Sequence, residues 1–135
     1  MDIRLAYGKE GLTARVPDEN LAGVIHMNPI TQIADPAVAI RDALQNPIAS
    51  PPLAEIARGR ESAVVVISDI TRPVPNKILL PPILETLEKS GIARERICIL
   101  IATGIHRPNL GGELVELVGE EIARTYRVEN HYSED

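Results

Sequence analysis

The sequence predicts an α/β fold: an open, mainly parallel sheet with helices on both faces and a β-hairpin at the N-terminus. Three observations carry this expectation. The runs Ala63-Val64-Val65-Val66-Ile67 and Ile97-Cys98-Ile99-Leu100-Ile101 are continuously apolar, the pattern of strands buried on both faces in parallel sheets. A helical stretch separates them, and strand, helix, strand over about forty residues is a βαβ unit. Near the N-terminus, Ile3, Leu5 and Tyr7 alternate with Arg4 and Ala6, and Leu12, Ala14 and Val16 alternate with Thr13 and Arg15, around the turn-forming Gly8-Lys9-Glu10-Gly11.

Along the chain the hairpin is followed by a third short apolar run, Ala22 to Met27, stopped by Asn28-Pro29. His26 within it is expected to be a packed, hydrogen-bonded histidine. Pro36 opens a helical pattern through Ala39, Ile40, Ala43 and Leu44, which Pro47, Pro51 and Pro52 end. A short helix from Leu53 to Ala57 is capped by Gly59. After the first aliphatic strand and Ser68 to Pro75, a helix runs from about Asn76 to Lys89, closed by Ser90-Gly91. Pro81-Pro82 either kinks it or marks its true first turn. Cys98 reads as a small core hydrophobe of the second strand. Glu113 to Val118 and Glu120 to Tyr126 are helical, and Arg127-Val128-Glu129 starts another strand. The whole chain, residues 1–135, reads as one Rossmann-like α/β domain.

Composition excludes several classes. Ile, Leu and Val fill 40 of 135 positions, far above a disordered chain. Three Tyr with no Phe or Trp leave no aromatic platform for base stacking, and a net charge of −5 supplies no basic footprint for nucleic acid or an anionic membrane. The single cysteine forms no internal disulfide, and no Cys/His cluster has zinc spacing. With no apolar stretch near ~18 residues and no leader-like N-terminus, a cytoplasmic protein is expected.

In open α/β sheets ligands bind beyond the carboxyl ends of the strands. The two loops there are Ser68-Asp69-Ile70-Thr71-Arg72-Pro73 and Ala102-Thr103-Gly104-Ile105-His106-Arg107-Pro108-Asn109. Adjacent strands would bring Asp69, Arg72 and His106 into one crevice. Two readings stand side by side. In one, Asp69 or Thr71 caps the next helix, Arg72 makes a surface ion pair, Gly104 turns the chain and His106 is an exposed loop residue. In the other, Arg72 clamps a carboxylate with two parallel hydrogen bonds and His106 moves a hydroxyl proton near neutral pH. Gly111-Gly112 and Lys77 lack the spacing of a phosphate-binding loop, and no glycine-rich dinucleotide fingerprint follows either strand.

Several segments in order resemble the N-terminal domain of the nickel-dependent lactate racemase family. They are Asn46-Pro47-Ile48 to Leu53, Asp69 to Pro73, Gly91-Ile92, Ala102-Thr103-Gly104 to His106-Arg107, Leu117-Val118-Gly119 and Asn130-His131. The resemblance implies the N-terminal half-site of an isomerase that interconverts stereoisomers of a 2-hydroxy acid. A hydride leaves the substrate α-carbon for a nickel-pincer nucleotide, a pyridinium mononucleotide derived from nicotinic acid mononucleotide, and returns to either face of a transient keto acid. It implies catalytic roles for His106, Asp69 and Arg72, substrate binding by Arg72 and Thr71, and cofactor contacts from Asp69, Thr71 and Arg107. The metal ligands and most cofactor contacts belong to a second domain of the longer family members, absent from this chain, so the isolated chain is expected to be inactive. Ile105 stands where many members carry Thr, Ile70 replaces a His, and Tyr132 follows Asn130-His131 where an acidic residue is common. The alternative is a non-catalytic α/β module that binds an anion or nucleotide through the same loops.

Overall fold

The two aliphatic runs are strands, and they lie side by side. In the computed structural model, which describes residues 1–133, β3 (Ala63–Ser68) pairs in parallel with β4 (Ile97–Ala102), and β4 with β5 (Arg127–Asn130), giving the order β3-β4-β5. The register sets Val65 beside Ile99 and Val128, and Ile67 beside Ile101 and Asn130. Side chains alternate across a strand, so these positions share one face. That face is the core. Ile97, Ile99 and Ile101 are fully buried there, each worth about 1.5–3 kcal/mol in removed apolar surface.

Four of the five helices supply residues to this core. The chain folds into two compact units, Met1–Gln32 and the residues from Ile33 on. In the second, α1 (Pro36–Gln45) and α2 (Leu53–Ala57) pack on α3 (Asn76–Lys89), which also meets α4 (Gly112–Val118), itself joined to α5 (Glu120–Thr125). Leu80, Leu84 and Leu87 form the inward stripe of α3 at helical spacing and join Ala57, Leu117, Val118 and Ile122. Asp35 caps α1, its carboxylate accepting from Val38 N–H at 3.0 Å, with Pro36 in the first turn. The helix of α3 runs through Pro81 and Pro82, so neither proline marks its first turn. No helix among the described residues is long and apolar enough to cross a membrane.

The sheet is open and parallel as expected, but its two faces are not alike. Val64 and Val66 are each 61% exposed, and Cys98 and Leu100, their register partners, are half-buried beside Arg127 and Glu129. The expected burial of β3 on both faces, with helices covering both, therefore fails within the described residues. A continuous apolar run reports what a strand tolerates, and it does not reveal which segments arrive to cover it. For the same reason Cys98 is not a core residue. Its thiol faces Glu129 at 4.0 Å, and burial followed by that carboxylate raises its pKa.

In the first unit β1 (Asp2–Leu5) and β2 (Leu12–Arg15) form the expected antiparallel hairpin, with Ile3 opposite Ala14 and an Arg15 to Asp2 ion pair of 2.9 Å. The third apolar run is not a strand. Ala22 to Met27 has no partner strand among the described residues, and Ile25 and Met27 are almost wholly exposed. A strand exists through the neighbour that takes up its backbone groups. His26 is accordingly exposed, contrary to the packed role expected of it.

Candidate active site

Parallel pairing of β3 with β4 brings Ser68 level with Ala102, so the two loaded loops leave the sheet at the same edge, and β5 ends there too at Asn130. The first loop turns at once. Arg72 N–H donates to Asp69 O at 3.1 Å, while the Asp69 side chain folds back and its Oδ1 accepts from Thr71 N–H at 3.0 Å and from the Thr71 hydroxyl at 2.6 Å. These bonds leave Oδ2 directed at the second loop.

The second loop meets it. His106 N–H donates to Thr103 O at 3.0 Å across a turn whose first inner residue is Gly104, at φ +59, a conformation that suits glycine. The turn brings His106 Nδ1 to 2.5 Å from Asp69 Oδ2, across 37 residues of sequence. Asp69 is 4% exposed, whereas the His106 side chain is 46% exposed. Hydrogen bonds from the Thr71 hydroxyl and from His106 hold the Asp69 carboxyl at about 2, against the opposing effect of burial. An ionised carboxylate can only accept, so the proton of this bond is on Nδ1, and Nε2 faces away from it.

The two loops are also locked to β5. Ile70 N–H donates to Asn109 Oδ1 at 3.1 Å, and Asn109 exchanges two bonds with Asn130, N–H to Oδ1 at 2.8 Å and Nδ2 to the Asn109 carbonyl at 3.1 Å. The Thr103 hydroxyl donates to His131 O, and His131 N–H to Ile101 O at 2.9 Å. Asn109 and Thr103 are buried. Their structural weight is not visible in local sequence, although Asn130 has a signal: it shares the inward parity of Val128, where an apolar residue is the default.

Of the expected site residues, the structure brings Asp69, Thr71 and His106 into hydrogen-bond contact. Arg72 is in the same loop, exposed and in no ion pair among the described residues. Arg107 is engaged elsewhere. Its fork grips Glu113 with two bonds of 2.6 Å, and Arg107 first, then Asn109, holds the Glu113 carboxyl at about 2. Among the described residues no three of His, Cys, Asp and Glu converge as a metal site would require. An ionised, buried acceptor fixing one nitrogen of an exposed imidazole is an arrangement suited to proton transfer at the other nitrogen.

Comparison with known proteins agrees with this architecture. Residues 7–135 match the family model described as the lactate racemase N-terminal domain. The chain is 40% identical over 135 residues to a lactate racemase of Lactiplantibacillus plantarum, covering 98% of this chain and 32% of that protein. It is 32% identical over 134 residues to one of Thermoanaerobacterium thermosaccharolyticum, covering 98% and 31%. The solved structure of the lactate racemase apoprotein from the latter organism superposes with a TM-score of 0.79 over 98% of this chain and 30% of that one. The chain thus spans about a third of the length of these relatives. With a match over almost its whole length and the fold of a solved relative, the chain belongs to the lactate racemase N-terminal domain family.

Proposed function

We propose that this chain forms the substrate- and cofactor-facing half-site of a lactate racemase-like isomerase acting on a 2-hydroxy acid, in the cytoplasm. The observation that carries the reading is the 2.5 Å contact of His106 Nδ1 with the buried Asp69 carboxylate at the carboxyl edge of a parallel sheet. Nε2 takes the proton of the substrate hydroxyl as the α-hydrogen leaves with its electron pair, and Asp69 compensates the imidazolium that results. Nε2 returns the proton when the keto acid is reduced again on the face that His106 serves, and reduction on the opposite face calls for a second base outside this chain. Arg72, in no ion pair among the described residues, grips the substrate carboxylate through a planar fork, and Thr71 lies beside it in the loop.

A nickel-pincer nucleotide, when bound, would supply the acceptor for that hydrogen. Asp69, Thr71 and His106 fit such a group, since one ionised carboxylate and one outward imidazole nitrogen flank an open edge of the sheet. Arg107 would reach such a group only by releasing Glu113. By the family resemblance, nickel ligation, a base for the opposite face of the keto acid and most of the cofactor's contacts would fall to the second domain.

The test is a chimera in which this chain replaces the matching third of the Lactiplantibacillus plantarum protein, assayed from pure D- and pure L-lactate. Interconversion by the chimera, with His106→Ala slowing it by about 10²–10⁴-fold in a variant of unchanged circular dichroism, is the expected result. Near-parent rates for His106→Ala from both enantiomers would reduce the dyad to loop structure. The chain alone is expected to convert neither enantiomer and to retain no stoichiometric nickel after dialysis.

A further inference from the structure

Beside the Asp69–His106 contact, the other flank of the first loop opens on a groove of about 490 Å³, lined by Ile70, Arg72, Asn76, Lys77, Glu116 and Leu117 among others. Its floor carries an anomaly. Asn76, the first residue of α3, is only 4% exposed, yet its side chain neither caps the helix nor makes any hydrogen bond among the described residues. No side-chain nitrogen or oxygen is sealed from solvent without a partner, so the Asn76 carboxamide ends at the groove and not in the core. With its atoms at the groove rather than sealed in the core, the Asn76 carboxamide is open to solvent, and its NH₂ is free to donate to a molecule that enters.

Its neighbours point to the same kind of ligand. The N–H groups of Asn76, Ile78 and Leu79 bond to Val74 O at 2.9 Å and to Pro75 O at 2.9 and 3.1 Å, whereas that of Lys77 has no acceptor among the described residues. The positive end of a 14-residue helix is therefore open here. Arg72 and Lys77 both line the groove, and neither enters an ion pair among the described residues. The Lys77 stem passes the α4–α5 corner, its Cγ lying 3.7 Å from where a side chain on Gly119 would start. Among the described residues Glu116 is the one carboxylate lining the groove, so two cations, a helix terminus and an amide donor outweigh it.

We propose that this groove is an oxyanion subsite in which the Arg72 guanidinium, the Asn76 carboxamide and Lys77, through its main-chain N–H and its ammonium, hold a carboxylate or phosphate group of a small molecule. It rests on the function proposed above only through Arg72. No glycine-rich phosphate loop is involved; the donors are a helix terminus and side chains of its first turn.

The test is a titration of this chain, followed by ¹H–¹⁵N correlation spectra at constant ionic strength, with inorganic phosphate, L-lactate and nicotinic acid mononucleotide as probes and chloride as control. Saturable shifts of the Asn76 side-chain NH₂ and the Lys77 amide are expected with an oxyanion and not with chloride. Saturation by lactate assigns the subsite to a substrate carboxylate; saturation by phosphate and the nucleotide but not lactate assigns it to a phosphate monoester. Asn76→Asp preserves volume and suits a helix N-terminus, so it keeps the fold while weakening binding by at least about tenfold. Lys77→Met weakens it several-fold and Glu116→Gln tightens it. Failure of all three probes to saturate, or unchanged affinity in both Asn76→Asp and Lys77→Met, overturns the proposal. The His106 ring resonances report the dyad separately, so anion binding with an inert His106 would sink the catalytic reading and leave the subsite standing.

Discussion

Replacing Asp69 by Asn alters one atom of a buried side chain and reverses one hydrogen bond. The two bonds to Oδ1, from Thr71 N–H and the Thr71 hydroxyl, survive if the amide oxygen stays there. The amide NH₂ then stands where Oδ2 accepted from His106 Nδ1 at 2.5 Å, and it can only donate. His106 must present Nδ1 as an acceptor and carry its proton on Nε2, the atom meant to take a proton from substrate. A charge-assisted hydrogen bond shifts such a tautomer ratio by roughly ten- to a hundredfold, so the proton-accepting tautomer becomes the minor one. Loss of a positioned base in its working tautomer costs about 10²–10⁴-fold in turnover. Nitrogen chemical shifts of the His106 ring in this chain read the tautomer directly, and the chimera reads the rate. Acid titration adds an independent check. The Asp69 carboxyl is held at about 2 against an ordinary 3.8, so its ionised form stabilises the fold fully above about pH 4, and this contribution is lost as pH falls through 2. The Asp69→Asn protein should lack that portion of the pH dependence and keep the part due to Glu113, also held at about 2. A His106 that stays protonated on Nδ1 in the variant, or an unchanged slope of stability between pH 4 and 2, would refute the reasoning.

Other consequences follow from the same geometry. Ile99→Ala removes a fully buried side chain at the centre of β4 and should destabilise the chain by about 2–5 kcal/mol in a urea melt. Gly104→Ala adds a Cβ that meets nothing within 4 Å, so its cost is conformational alone, about 1–2 kcal/mol at φ +59, and the His106 resonances should move with it. Arg72→Lys in the chimera keeps charge but loses the fork, and should raise KM for lactate more than it lowers kcat, as steady-state kinetics from each enantiomer will show.

Local pattern was enough to place the hairpin, the two aliphatic strands, the helices and the edge at which a site could form. β-Branched and apolar runs at Ala63–Ile67 and Ile97–Ile101 favour strands, and one helix between parallel strands obliges both carboxyl ends to face the same way, so Asp69 and His106 share an edge once the two strands are adjacent. Proline and glycine punctuation placed α1 and the end of α3 for equally local reasons. What the sequence left open depends on contacts between residues far apart in the chain. The apolar run at Ala22–Met27 has strand composition but no partner, and the apolar character of Val64 and Val66 does not tell whether anything covers them. Only the tertiary structure decided that Asp69 turns one oxygen to Thr71 and the other to His106, that Asn109 ties Ile70 to Asn130, and that Arg107 is held by Glu113. The bonds from Asp69 to His106 and from Ile70 to Asn109 span 37 and 39 residues. Side-chain type permits such bonds at many positions, and it is the packing of the sheet and helices that leaves one geometry in which Asp69, Thr103 and Asn109 find their partners.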